Sequence, residues 1–458
     1  MKKYIKKILV VTFSILFLTA CQTELDDFNN NPNDPSNSNP SLLIAAMELS
    51  TFQTHTSGLM RDAGIFSQHL QGTNLGQLGA ISYYVVNEGE INNEWNLIYG
   101  TALMNGHILN RDFAKDYPYY NGIGQVLTAL NLSYATDMWG DVPYDEAFLA
   151  EEGNKSPKYN TQKEIYQRLQ TILDDAIVNL QKPVASNEKV PGKDDFVFKG
   201  ETAKWIKVAY VLKARYALRL SEVDSNAAQK ALDFITEAGM ISVADDADTY
   251  FLGDKNSLNQ WFAFNDQRPD YMKMGKYFVD NLVSNTDPRL PFMVGQNKDG
   301  GYSGNAANDY ETVKTSYIGP RFASNNSQIG IVTYAEAKFI EAEAKFRLGQ
   351  DAKPALKDAI AASVLKVTQT AATTDFLTAA TSTVNLATII NQKYIALFLT
   401  MEPYNDYRRT GFPELVPNQN SDTKLIPLRL PTPSDQRQYN PNATVVSNVT
   451  TNVWWDKN

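Results

Sequence analysis

The strongest constraint on the fold of this chain is a helical period that stops at a tight turn and then resumes. Tyr334, Ala337, Ile340, Ala344 and Leu348 recur at spacings of three and four, which places them on one face of an α-helix. Leu348-Gly349-Gln350-Asp351 interrupts the period, and Leu356, Ala359, Ile360 and Val364 take it up again. Two amphipathic helices joined by a glycine-containing turn form an antiparallel hairpin. Alanines at the facing positions let the two helices approach closely. The same pattern predicts a second pair over 202–219 and 226–238, and a third over 123–137 and 162–180 with a long connection between its helices.

A hairpin of this kind resembles a tetratricopeptide unit. The spacing between pairs is irregular, so the chain reads as mostly α, with a repeat-derived core carrying insertions and not as a uniform solenoid. Hydrophobic residues make up 43% and aromatic residues 11% of the 458 positions, ample for one large core. Between about 242 and 331 the helical period fades into interleaved Gly, Asn, Asp and aromatic residues, with one short helix expected near 272–282. Long irregular stretches rich in aromatics are ordered, function-bearing loops. The last forty residues are again irregular and proline-rich, ending in Trp454 and Trp455.

The first twenty residues set the compartment. Lys2, Lys3, Lys6 and Lys7 precede an apolar run from Ile8 to Leu18, the layout of a secretory signal peptide. The run falls short of the roughly 20 apolar residues a membrane-spanning helix needs. Leu18-Thr19-Ala20-Cys21 then fits a bacterial lipobox, and Cys21 is the only cysteine in the chain. Secreted proteins pair their cysteines or lack them, so a single one at this position reads as a lipid attachment point. Residues 1–20 are thus the leader, 21–40 a lipidated tether dense in Asn, Asp, Ser and Pro, and 41–458 the folded domain. Loss of the four leader lysines makes the remainder more acidic than the whole chain's formal charge of −9. With no basic cluster after the leader, nucleic acid is excluded as a partner.

Catalytic and metal signatures are sparse. His55, His69 and His107 stand in no HExxH or cysteine-rich arrangement and read as packing or polar residues. Gly122-Ile123-Gly124 lacks the third glycine of a dinucleotide fingerprint, and no Walker pattern is present. Asp137 with Asp141, or Asp174 with Asp175, invites comparison with a glycosidase pair, but acidic residues on helices are commonly a solvated face. Asp245, Asp246 and Asp248 form a calcium-like cluster without the spacing or glycine of an EF-hand. No cofactor, no metal and no enzymatic activity are expected.

Five segments together resemble the SusD/RagB family of outer-membrane nutrient-binding lipoproteins. They are YATDMWGDVPYDEA (134–147), TDPRL (286–290), TYAEAKFIEAEAKFRLG (333–349), NQKYIALFL (391–399) and NDYRRTGFP (405–413), in the family's order from lipobox to final Trp pair. The sequence departs from the family at Pro403-Tyr404, where many relatives carry a Trp, and in LIPLRLPTPSDQRQYN. The resemblance implies about four tetratricopeptide-like helix pairs and a loop-rich half holding the ligand. It also implies a TonB-dependent, SusC-like transporter over which the lipoprotein closes as a lid, an oligosaccharide or in some relatives a peptide as ligand, and a surface-facing position to which Glu24, Asp26 and Asp27 contribute either an export signal or mere solvation. Within the motifs, Trp139 and Asp141 fit a helix-end gap filler and cap. Arg408 and Arg409 fit partners of core carboxylates.

A sugar offers apolar C–H faces and a rim of hydroxyls, so its receptor needs flat aromatic platforms beside amide, carboxylate or guanidinium groups. Two stretches supply both. QGTNLGQLGAISYYVVNEGE carries Asn74, Gln77, Tyr83 and Tyr84; NQWFAFNDQRPDY carries Trp261, Phe264, Gln267, Arg268 and Asp270. Trp261 is the leading platform, and Trp95, in a helical run, is assigned to the core. The sequence reads best as a glycan receptor. The alternatives are a peptide receptor of the same architecture, a tetratricopeptide-like scaffold without a small ligand, and a secreted helical hydrolase. Cys21→Ala should release the protein from membranes, since no other segment is apolar and long enough to hold it. Membrane fractionation with mass spectrometry checks this, and an unmodified Cys21 in a membrane-bound, uncleaved chain would overturn it.

Overall fold

The computed structural model describes residues 39–73 and 76–457; the leader, Cys21, the tether as far as residue 38, and Asn74 lie outside this span. Helix α1 (Pro40–Thr54) starts on a proline, with the Asn39 side chain accepting from the Ser41 amide at 2.9 Å. It lies against a helical run over 92–113 that alternates α and π turns, and together they make the first pair. The second pair is α2 (Pro118–Trp139) and α3 (Gln162–Leu180); the third is α4 (Thr202–Arg219) and α5 (Ala227–Ala238); the fourth is α6 (Tyr334–Arg347) and α7 (Lys353–Thr368). Two further helices, α8 (Leu386–Ala396) and α9 (Glu402–Thr410), close the row. The mostly helical, tetratricopeptide-like architecture expected from the periodicity is therefore what the chain adopts. Among the described residues no helix is long and apolar enough to cross a membrane.

Local chemistry explains the boundaries. Thr161 and Glu164 form a reciprocal capping box at the start of α3, and the Thr333 hydroxyl accepts from the Glu336 amide at the start of α6. The Gly122-Ile123-Gly124 run inside α2 serves packing. A Cβ at Gly122 would come within 2.7 Å of the Leu180 side chain, so glycine is what lets α2 and α3 meet there. Helix α2 is buried along almost its whole length and is the axis around which the first two pairs are laid.

The inter-pair seam is ionic. Arg215 on α4 makes a two-pronged pair with Glu336 on α6, at 2.6 and 2.7 Å. Arg219 reaches Asp137 on α2 at 3.1 Å and Glu402 on α9 at 2.6 Å. Arg409 binds Glu343 on α6 at 2.5 Å and Asp406 at 2.8 Å, and Lys393 on α8 meets Asp406 at 3.0 Å. All of these side chains are buried. Arg408 donates to the Asp137 carbonyl at 2.7 Å, and also to Asn405, so both arginines of the NDYRR motif are core residues.

Residues 242–331 are more ordered than their composition implies. Among the described residues there are four short strands: β1 (Leu70–Gly72), β2 (Ala247–Asp248), β3 (Met272–Met274) and β4 (Gly330–Val332), with β1 antiparallel to β3 and β2 antiparallel to β4. Where one helix is expected near 272–282, Met272–Met274 is instead drawn into a ladder with β1, and the helix begins only at Lys276. Asn259 caps a further helix, Gln260–Gln267, by accepting from the Trp261 and Phe262 amides. The calcium-like cluster is held by lysines: Lys366 meets Asp246 at 2.6 Å and Asp248 at 2.8 Å, and Lys207 meets Asp245 at 2.9 Å. Asp137 is likewise engaged by Tyr166, Arg219, Asn405 and Trp455 and has no free face for acid–base work.

Two buried histidines make the fold sensitive to acid. His55 donates from Nε2 to the Gly330 carbonyl at 2.8 Å and accepts at Nδ1 from the Tyr134 hydroxyl at 2.7 Å, and burial lowers its pKa to about 4. Burial lowers that of His69 to about 3. The unfolded chain takes up these protons near pH 6.5, so the stability they contribute is lost as pH falls from there. A second loss follows below about pH 4. Burial alone would raise Glu343, Glu402 and Asp406, but Arg409 beside Glu343, Arg219 beside Glu402 and Lys393 beside Asp406 hold them lower, and protonation removes that stabilisation. The urea midpoint should therefore drop between pH 7 and pH 5; an unchanged midpoint would show that these imidazoles are not held neutral in the core.

Candidate functional site

Pairing of β1 with β3, in the register Leu70↔Met274, Gln71↔Lys273 and Gly72↔Met272, brings the two aromatic stretches singled out in the sequence onto one edge of the molecule. A third segment, 302–317, is stitched to the far side of β3. The Met274 amide donates to the Ser316 carbonyl at 2.9 Å, the Asn305 amide to the Met274 carbonyl at 2.9 Å, and the Lys276 amide to the Asn305 carbonyl at 2.7 Å. A fourth, around Asn418, closes the edge: its Nδ2 donates to the Ser82 carbonyl at 2.7 Å and to the Tyr310 hydroxyl at 3.3 Å.

The result is a loop-built face of half-buried tyrosines. Tyr83 stacks on Tyr310 with ring centroids 5.4 Å apart and planes 25° from parallel. Tyr317 donates to Asp270 at 2.5 Å, and the Lys273 ammonium lies 3.4 Å from the Tyr317 ring centroid while pairing with Asp270 at 2.8 Å. The hydrogen bond from Lys273, then that from Tyr317, hold the Asp270 carboxyl below its ordinary range. A carboxylate held ionised is a poor general acid at neutral pH, and this one serves instead as a fixed acceptor. Tyr271 and Tyr302 are also half-buried on these segments, and Gln77 is exposed on the short helix Gly76–Ser82.

Other predicted residues fall elsewhere. Trp261, the leading platform, is 0% exposed and belongs to the main core. Its segment is helical and its indole is packed in the core, so no ring face is open to a ligand; the expectation is corrected. Tyr84 is only 6% exposed. Its hydroxyl accepts from the Asn418 amide at 2.8 Å, and burial raises its pKa to about 12, which makes it an anchor beneath the face. Phe264 is half-buried, with Arg61 over its ring at 4.3 Å and Arg268 at 5.5 Å. Arg268 and Gln267 are exposed neighbours with a 3.5 Å contact between them, and Asn74 lies outside the described residues. Tyr310, Tyr317 and Asn418 were not singled out by the sequence. The available signal was the tyrosine spacing in YSGNAANDYETVKTSY, within a Gly- and Asn-rich loop.

A row of helix pairs carrying a tyrosine-lined loop face on one edge defines a tetratricopeptide-like scaffold with a laterally built site. Residues 32–433 match the model of the SusD-like family described as "Starch-binding associating with outer membrane", and the chain belongs to that family. A search of curated proteins finds no match. Solved structures share the fold. A SusD/RagB family protein from Bacteroides thetaiotaomicron superposes with a TM-score of 0.78 at 24% identity, covering 92% of this chain and 99% of that one. A chitin-binding SusD homolog from Flavobacterium johnsoniae gives 0.78 at 21%, covering 91% and 99%. A SusD homolog from Bacteroides vulgatus gives 0.76 at 22%, covering 88% and 92%.

Trp261→Ala should act as a core truncation, costing about 3–5 kcal/mol. Differential scanning calorimetry should show a melting temperature lowered by several degrees. Ligand affinity measured well below that temperature should stay near normal; selective loss of affinity with unchanged melting would return Trp261 to the site.

Proposed function

We propose that this protein binds an oligosaccharide on the Tyr83/Tyr310 face and delivers it to a TonB-dependent, SusC-like transporter in the outer membrane, where a lipid on Cys21 holds it facing outward. The observation that carries the reading is the stacked, half-buried Tyr83–Tyr310 pair beside the Asp270–Lys273–Tyr317 cluster. Aromatic faces meet the C–H side of a sugar ring, and fixed acceptors and donors meet its hydroxyls. The family description names starch, and one structural relative is a chitin-binding protein, so both α- and β-linked glucose-type chains are apt probes.

Receptor and hydrolase separate on turnover: the reading requires binding without cleavage. Calorimetric titration with maltohexaose and chitohexaose should give saturable binding of at least one. Tyr83→Ala or Tyr310→Ala should weaken it at least tenfold, about 1.4 kcal/mol, with melting little changed because neither ring is in the core. Binding of peptides but of neither glycan, or full affinity in both variants, would overturn the proposal.

A further inference from the structure

A second concavity, away from the tyrosine face, lies in the scaffold itself. A cleft of about 400 Å³ opens between the helical run over 92–113, α2, the turn at 144–148 and α3. That volume is within the range of small-molecule sites. The run that forms its wall is π-helical at Leu97–Leu103 and again at Leu109–Phe113, and the α turn between them contributes His107. Wide turns of this kind recur at functional sites because they displace side chains from the regular helical register.

The lining is chemically specific. His107 packs over Phe148, ring centroids 5.3 Å apart and planes 31° apart, giving a flat apolar patch on one side. Arg168 and Asp145 pair at 3.0 Å and cancel one another's charge. Four groups that line the cleft make no hydrogen bond through their side chains among the described residues: the Tyr144 and Thr128 hydroxyls, the His107 ring and the Asp175 carboxylate. Burial, with Arg111 nearby, lowers the His107 pKa, so its imidazole is neutral and offers one donor and one acceptor. The inventory is a flat face, three neutral groups able to donate or accept, and one carboxylate able to take two adjacent hydroxyls. It suits a neutral polyol ring and disfavours an anion.

We infer that this cleft is a second saccharide site, one to two sugar rings long, separate from the tyrosine face. The inference rests on the reading of the protein as a glycan receptor. Two sites on one chain would let a single polymer be held at two points, raising retention through effective concentration without new contacts at either site.

The test uses the three histidines as reporters. His55 and His69 are fully buried, whereas His107 is not, so a ligand entering the cleft perturbs the His107 imidazole signals alone. The full-length protein is titrated with maltose and with N,N′-diacetylchitobiose while the histidine ring resonances are followed by NMR, and binding at the tyrosine face is measured by calorimetry with the hexaoses. The expected result is a saturable His107 shift with at least one disaccharide that persists in the Tyr83→Ala/Tyr310→Ala variant. Thr171→Trp, which fills the rim from an exposed position, and Asp175→Ala should each weaken the response about tenfold. A His107 shift that vanishes in the double tyrosine variant, or that survives Thr171→Trp unchanged, overturns the second site. Calorimetric binding without any saturable His107 response overturns the cleft and leaves the receptor reading standing. No response in either measurement overturns both.

Discussion

Asp137, Glu336, Glu343, Glu402 and Asp406 face Arg215, Arg219, Lys393 and Arg409 across the buried seam between five helices. Charges removed from water are costly unless each finds a close, well-oriented partner. The geometry at the seam is correspondingly demanding: sliding α9 by one turn relative to α6 would part Arg409 from Glu343 and leave each only the partner on its own helix, Asp406 and Arg347. A row of hairpins with irregular connections has many ways to stack its apolar faces. An ionic seam of this kind admits few of them, and it is the constraint on which the register of the helix pairs depends.

This seam also explains what the family motifs encode. Asp137 comes from YATDMWGD, Glu336 and Glu343 from TYAEAKFIEAEAKFRLG, Lys393 from NQKYIALFL, and Asn405, Asp406, Arg408 and Arg409 from NDYRRTGFP. Segments that are far apart in sequence meet at a single buried contact. TDPRL behaves similarly on a smaller scale: Arg289 is fully buried, bound to Asp287 at 2.6 Å and to Gln392 on α8 at 3.0 Å. The motifs therefore specify the scaffold, and they carry no information about which ligand is bound.

Helix pairs were legible in the sequence because the 3.6-residue period of a long amphipathic helix repeats enough times to be seen. Side-chain direction in the loop half was not, because it depends on partners that sequence spacing does not reveal. Residues 260–267 form only two helical turns, and with aromatics at 261, 262 and 264 no single face stands out; Trp261 is buried by packing against distant parts of the core. Tyr83 and Tyr84 are adjacent, yet a left-handed backbone at Tyr84 (φ 64°) sends one ring under the face while the other stacks on Tyr310. The acidic cluster at 245–248 looked like a cation site only because Lys366 lies more than a hundred positions away. Tyr310 and Tyr317 reach the site by pairing with β3, a contact that no local pattern announces.

Scaffold and site are joined through one residue in particular. His69, beside β1, bonds through Nε2 to the Tyr394 carbonyl on α8 at 3.0 Å and packs against the Tyr394, Phe278 and Phe398 rings. Its own carbonyl accepts from the Gly275 amide at 2.9 Å, directly after β3. Tyr394 follows Lys393, which is held in the ionic seam, so a short path of packed and bonded groups runs from that seam through His69 to the β1–β3 ladder carrying the tyrosines. Loops that must order on binding lose part of the affinity to that ordering. Here the loop backbone is already bonded at Met274, Asn305, Ser316 and Asn418, and the ladder beneath it is bolted to the most constrained part of the core. The tyrosine face thus combines irregular backbone, which permits its shape, with the positional rigidity of a helical scaffold.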